Sequence, residues 1–237
     1  MVVPSTNERA KPKGGPQGER SRRGAEGLLA IWHGAEMEFE SEFDDWYDRQ
    51  HHPERVGIPG FERARRYLNL DGGPRYFSRY DVKSADVLAS PAYLHALNHP
   101  TEWTRKLMPR YRNTTRAVFR FAGGVGDADG GELVTLRISG GAPDAVRTFG
   151  PQPMAALAQA PGVLKIEIWT ADTAVSTLRT EEKKLRGSVD DVVGQAILVE
   201  GSSIDRLTDA VARHLLPLLG ATAKLDRYRF VYQLLKG

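Results

Sequence analysis

A Pro-Gly pair at Pro59-Gly60 returns as Pro161-Gly162, 102 residues later, and each pair introduces a run of strand character. Around it the order strand, helix, strand, strand, helix, strand is written twice. In the first half strands are expected at Gly27 to Trp32, Phe61 to Leu70, Arg75 to Val82 and Arg116 to Phe121. In the second they fall at Leu133 to Ile138, Val163 to Thr170, Gln195 to Glu200 and Arg227 to Leu234. Leu107-Met108-Pro109 is echoed by Leu215-Leu216-Pro217 at the end of the second helix of each half. A repeat of this kind fixes the fold class before any single residue is considered. Two βαββαβ units give an α+β protein of two ferredoxin-like halves, each an antiparallel sheet with helices on one face. The uncovered faces must be buried, and laying them together makes an intramolecular, pseudo-dimeric α+β barrel.

The helices follow from periodicity and punctuation. Phe39, Phe43, Trp46, Tyr47 and Gln50 recur at helical spacing, which predicts a helix from about Glu38 to His51. Pro53 restricts His52 to extended geometry, so the helix should stop there and His52 should face solvent or a rim. A second helix is expected over about Pro91 to Arg112, capped by Ser90, broken near Pro100 and restarted at Thr101. In the second half, helices are expected at about Ala142 to Ala160 and Ser203 to Leu219. The organisation is then a disordered basic tail over residues 1–25, a first unit over 26–122, a Gly-rich linker over 123–131 and a second unit over 132–237.

Charge matters mainly for what it excludes. Arg9, Lys11, Lys13, Arg20, Arg22 and Arg23 sit in the tail against Glu8 and Glu19, so the formal net charge of +3 belongs to the tail and the body is near neutral. No basic stripe is present of the kind nucleic acid requires, so nucleic-acid binding is not expected. No run reaches the roughly 18 apolar residues of a membrane span, and the chain has no cysteine; a cytoplasmic protein, monomer or homodimer, is expected.

Phe43, Trp46, Tyr47, His51, Pro53 and Glu54, followed by Pro59-Gly60-Phe61, resemble the EthD-like branch of the dimeric α+β barrel superfamily. The resemblance runs on through Ser90-Pro91-Ala92-Tyr93 and Trp103 to Phe119, and so covers the first half. It implies a small-molecule enzyme or binder, since that superfamily includes monooxygenases, dehydratases and cyclases.

The candidate site is the stretch that resembles that family. Tyr47 and His51 lie one helical turn apart, and His51 near neutrality would act as acid or base with Tyr47 orienting it. The reading that leads on residues alone has Phe43 and Trp46 pack a core while Tyr47 and His51 bond to backbone or to each other. Trp46, His52 and Tyr80 are expected to contact a small, partly apolar metabolite in a barrel pocket, in a cleft between sheet and first helix. Arg137 and Lys165 lie on the polar strand face expected to point into the barrel with Glu167 and Trp169, either as an acidic-ligand site or as a compensated network. The alternative function is a non-catalytic ligand-binding or protein-interaction barrel, because the positions 102 residues beyond His51 and Trp46 hold Pro153 and Thr148. Haem on His214 is a distant third, suggested only by the paired layout. No cofactor and no metal is expected, since His95 and His99 make only two ligands. The run Leu178 to Arg186 reads as a solvated helical turn with balanced charge and no partner.

Overall fold

The structure, a computed structural model, describes residues 24–139, 150–187, 190–219 and 222–237. The basic tail up to residue 23, and residues 142–149 of the third expected helix, lie outside the described residues. The chain forms β1 (Gly27–Ala35), α1 (Glu40–Trp46), a wide π turn (Tyr47–His51), α2 (His52–Gly57), β2 (Phe61–Asn69) and β3 (Tyr76–Val82). Then come α3 (Pro91–Asn98), α4 (Glu102–Leu107) and the long β4 (Tyr111–Val125). The second half consists of β5 (Glu132–Ser139), α5 (Pro151–Ala158), β6 (Val163–Ala171), α6 (Thr173–Ser176), α7 (Glu181–Arg186), β7 (Val193–Gly201), α8 (Ile204–His214), α9 (Leu216–Leu219) and β8 (Ala223–Leu235). No helix among the described residues is long and apolar enough to cross a membrane.

The strands close an antiparallel barrel in the order β1-β3-β2-β8-β5-β7-β6-β4. Within each half the order is that of a ferredoxin-like unit, and the halves join where β2 meets β8 and β4 meets β6. Both sheet edges are thereby paired, which removes the unsatisfied backbone that each half alone would expose. The Pro-Gly echo has a backbone cause. Gly60 and Gly162 hold φ of +93° and +88°, a region costly for a side chain, and a Cβ on Gly60 would meet the Val87 side chain at 2.6 Å.

Alternation along the strands divides the core. Leu28, Ala30, Trp32, Tyr67, Phe77, Phe119, Trp169, Leu198 and Tyr228 fill the barrel from both halves. Val134, Leu136, Ile138, Ile166 and Ile168 face outward and meet Leu207 and Val211 of α8 in an apolar layer. Between the aromatic plug and the linker lies a charge cluster. Arg79 reaches Glu167 at 2.8 Å and Glu200 at 3.2 Å, Arg65 reaches Glu200 at 3.0 Å, and Lys165 reaches Glu200 at 2.9 Å. Arg137 pairs with Asp226 at 2.8 Å and donates to Thr115 at 3.1 Å. Arg137 and Lys165 are thus paired with carboxylates, as a compensated network requires, and Arg137 also lines a polar pocket of about 160 Å³ with Asp191 and Lys224.

Three expectations fail for local reasons. The first helix does not end at His51: the chain continues helical through Gly57, and His52 has φ −64° and ψ −47°. In the π turn the His52 N–H donates to the Tyr47 carbonyl five residues back. The i→i−4 ladder is already interrupted there, so the missing N–H of Pro53 costs little and the proline sits in the first turn of α2. Gly123 to Val125, expected in the linker, extend β4 by pairing with Ile168, Glu167 and Ile166 of β6. The second helix gives way to β4 at Tyr111 and does not reach Arg112, whereas its break at Pro100 into α3 and α4 and its caps by the Ser90 and Thr101 side chains are as expected.

Candidate functional site

The outward face of the first half's sheet carries Leu29, Ile31 and His33 on β1 and Tyr76, Ser78 and Tyr80 on β3, with α1 and α2 laid across it. The π turn inserts one residue into the helix, so that both His51 and His52 turn to the sheet. His51 packs on Trp46 at 4.2 Å between ring centroids, and His52 meets Tyr47 at 5.0 Å and Tyr80 at 5.1 Å. His52 is fully buried, contrary to the expectation of a solvent or rim position, because the continued helix carries it inward.

Two β-bulges complete the cluster. On β4, Trp32 pairs with Thr115 but Gly34 pairs with Arg112, so two β4 residues oppose His33, one of them Asn113 with φ +49°. Without the extra residue Tyr111 would share the parity of Thr115, Ala117 and Phe119 and point into the barrel; the bulge turns it toward the helices. On β8, Phe230 pairs with Tyr67 and Tyr232 with Arg66, so Val231 is the extra residue and Tyr232 swings outward to His52. The Tyr232 hydroxyl lies 2.8 Å from His52 Nδ1.

A hydrogen-bond relay results. His33 Nδ1 lies 3.1 Å from the Gly34 carbonyl, which can only accept, so Nδ1 carries the proton. Nε2, 3.1 Å from the Tyr47 hydroxyl, must then accept, so Tyr47 donates to it and the Tyr111 hydroxyl, at 2.7 Å, donates to Tyr47. Burial lowers His33 to about 3, with the nearby Arg66 adding to the effect. Burial likewise holds His51 and His52 well below their ordinary value, aided by Arg55 for His51 and by Arg66 for His52, and it raises the Tyr47, Tyr80 and Tyr111 hydroxyls. His51 is therefore a neutral imidazole at physiological pH, not a group titrating near neutrality. Replacing Tyr47 by Phe should lower the unfolding free energy by about 1–3 kcal/mol, because His33 Nε2 and the Tyr111 hydroxyl both lose their partner. Tyr111→Phe should cost less, because only Tyr47 loses a bond; equal urea-unfolding shifts for the two would contradict the relay.

A cavity of about 50 Å³ opens beside this cluster, not in the barrel lumen, which the aromatic plug fills. Its walls are apolar on the sheet and helix side, with Leu29, Ile31, Leu97 and Met108, and polar where His51, Arg55 and Tyr80 meet. Of the residues expected to touch a ligand, His51 and Tyr80 line it. Trp46, Tyr47 and His52 stand behind His51 and support it: Trp46 donates through Nε1 to Thr104 at 3.3 Å. Among the described residues His51 Nδ1, the Tyr80 hydroxyl and Arg55 Nη1 have no hydrogen-bond partner although all are buried.

The far wall comes from the second half. Glu182 and Arg186 of α7 are buried in it, with Val175, Leu178 and Thr180 alongside. Arg55 of α2 forms a short ion pair with Glu182. The Leu178 to Arg186 run is therefore not a solvated turn; it covers the first half's pocket, with the Glu181 N–H donating to Asn98 at 3.1 Å. Its sequence signal was length: about twenty residues join β6 to β7 where a short turn joins β2 to β3. His95 and His99 lie on the exposed side of α3 and stack at 4.1 Å, with His99 Nδ1 committed to the His95 carbonyl at 2.8 Å.

No protein-family model and no curated sequence matches the chain. Solved structures do resemble it. An anthrone oxidase-like protein superposes with a TM-score of 0.58 at 14% identity, covering 89% of this chain and 93% of that one. A candidate monooxygenase of Fusobacterium nucleatum gives 0.53 at 9% identity, over 90% of this chain and 96% of its own. One from Lactobacillus acidophilus gives 0.51 at 8%, over 89% and 97%. The fold is the dimeric α+β barrel. Here one chain supplies both ferredoxin-like units; the first carries the polar cavity between sheet and helices, while the described part of the equivalent layer in the second is lined by leucine, isoleucine and valine.

Proposed function

We propose that the chain binds a small, partly apolar molecule in the cavity between the first sheet and α2, and that His51 exchanges a proton with it. The observation that carries this reading is the set of three buried, unpartnered polar atoms, His51 Nδ1, the Tyr80 hydroxyl and Arg55 Nη1, on residues that line one cavity together with Leu29, Ile31, Leu97 and Met108. Each unsatisfied group costs about 1–3 kcal/mol, a sum large against the stability of a domain, so a ligand with polar atoms at one end is the natural complement. A neutral His51 accepts a hydrogen bond or a proton; once it takes the proton, a negative charge left on the ligand offsets its desolvation. Tyr47 and Trp46 act through packing and through the relay behind it.

Resemblance to an anthrone oxidase-like protein and to candidate monooxygenases suggests the first compounds to screen, namely aromatic ketones and phenols. Calorimetric titration with anthrone and with phenol tests the reading. Wild-type protein should bind at least one saturably, and His51→Ala, with folding intact by circular dichroism, should bind about tenfold or more weakly. Because His51 stays neutral throughout, affinity for a neutral probe should be level between pH 6 and 8. Unchanged affinity in His51→Ala would remove His51 from the site. Binding without conversion would make it a carrier's site.

A further inference from the structure

Arg55 is 1% exposed and divides its guanidinium between two surroundings. Nη2 donates to Glu182 of the second half, while Nη1 is buried without a hydrogen-bond partner in a residue that lines the cavity, with Glu54 4.0 Å away and beyond hydrogen-bond reach. The wall of the cavity holds four cationic side chains, Arg55, Arg116, Lys183 and Arg186, against one carboxylate, Glu182. Arg186 is answered by Asp190 at 2.7 Å, which also lies 3.5 Å from Lys183. Arg116 donates to the Tyr93 hydroxyl at 3.1 Å, a neutral partner. The cavity therefore retains an excess of positive charge around an apolar floor.

We propose that the ligand is a small organic anion, a carboxylate or enolate on an apolar body, whose oxygens take Arg55 over from Glu182. This rests on the binding reading above and names the class of molecule. A guanidinium offers two parallel N–H groups to a carboxylate, and Arg55 has one unpartnered and the other held by a replaceable side chain. Glu182 is an expensive counter-ion: its burial raises the carboxyl above the ordinary range against the pull of Arg55. A ligand anion makes the same pair and in addition covers Leu29, Ile31, Leu97 and Met108, which Glu182 cannot do. The unpartnered Tyr80 hydroxyl and His51 Nδ1 then face the bound oxygens. The displaced Glu182 is on α7, so occupation of the first half's pocket is felt by the segment that the second half lays over it.

Benzoate and its neutral isostere benzamide separate the possibilities by calorimetry on the full chain. Wild-type protein should bind benzoate about tenfold or more tightly than benzamide, and Glu182→Gln, which keeps the shape and removes the competing charge, should tighten benzoate by about tenfold and leave benzamide within about twofold. Loss of Arg55 alone strands Glu182 and risks unfolding, so the second variant is Arg55→Met with Glu182→Leu, an apolar replacement of the whole pair that buried ion pairs commonly tolerate. Its thermal unfolding should stay cooperative while the preference for benzoate disappears. Equal affinities for the two probes, or no gain in Glu182→Gln, overturn the anion assignment while benzamide binding leaves the pocket reading standing. Failure of the wild type to bind either probe overturns both.

Discussion

Glu200→Ala is expected to lower the unfolding free energy by about 3–5 kcal/mol, the range for breaking a buried ion pair from one side. Glu200 is fully buried and accepts from Arg65 Nη1 at 3.0 Å, Arg79 Nη1 at 3.2 Å, Lys165 Nζ at 2.9 Å and the Gly130 N–H at 3.1 Å. The cluster sets Arg63, Arg65, Arg79 and Lys165 against Asp81, Asp129, Glu167 and Glu200, four charges of each sign. Removing one carboxylate leaves an uncompensated cation where water cannot reach it. The residues come from β2, β3, β6, β7 and the linker, so the loss falls on the seam between the halves. Glu200→Gln keeps the bond from Gly130 and the shape but not the charge, and should fall between wild type and Ala. Urea unfolding followed by tryptophan fluorescence reads all three, since Trp32 and Trp169 lie in the barrel plug beside the cluster. A shift below about 1 kcal/mol for Glu200→Ala would mean that the cluster is solvated and does not hold the seam.

The barrel was legible because its determinants are periodic. Strict alternation in β5 and β6 already separated Val134, Leu136, Ile166 and Ile168 from Arg137, Lys165 and Glu167, and a Pro-Gly pair that needs a left-handed glycine marked the repeat. What alternation cannot express is a slip of one residue, and the site is assembled from three of them. The π turn brings His52 inward, the bulge opposite His33 brings Tyr111 outward, and the bulge at Val231 delivers Tyr232 to His52. Each turns a side chain to the face opposite the one that unbroken periodicity would give it. His33 was hidden for a related reason: it extends an apolar strand, and nothing nearby in sequence announces that Tyr47 will meet it.

The second half's contribution was unreadable for another reason. LRTEEKKLR has balanced charges and looks solvated, yet Glu182 is buried because Arg55, 127 positions earlier, is waiting for it. A buried charge is recognisable only with its partner, and the partner lies in the other half. The same separation explains why Arg55 was passed over: with the helix expected to stop at His51, Arg55 falls in a connection where nothing marks it for burial. The two halves are thus unequal: one carries the polar cavity, and the other, whose described layer packs leucine, isoleucine and valine, supplies the cover.

That asymmetry concentrates three imidazoles in one place, and it predicts pronounced acid sensitivity. His33, His51 and His52 are at most 4% exposed, and burial depresses all three, His33 from 6.5 to about 3. The unfolded chain takes up protons on these groups as pH falls through the ordinary value, whereas the folded protein does not until far lower. Unfolding therefore binds protons, and stability that is complete above pH 6.5 falls as pH decreases toward the folded values. The slope approaches about 1.4 kcal/mol per pH unit for each imidazole that the fold holds neutral, or about 4 for three, so stability should fall steeply as pH drops below 6.5. The paired carboxylates Asp81, Asp129 and Glu167 are also held below their ordinary range, so their contribution is lost as pH falls from the ordinary carboxylate values of 3.8–4.5 toward the folded ones, adding to the imidazole loss in the lower part of its window. Glu182 acts in the opposite sense, since burial raises it and the folded protein accepts its proton first, which offsets part of the loss near the bottom of the window. His33→Gln, which can still serve the Gly34 carbonyl and the Tyr47 hydroxyl, should reduce the slope between pH 6.5 and 5 by about a third. Unfolding curves measured across that range would contradict the assignment if wild type and His33→Gln ran parallel, because a lost imidazole that changes no slope was never held neutral by the fold.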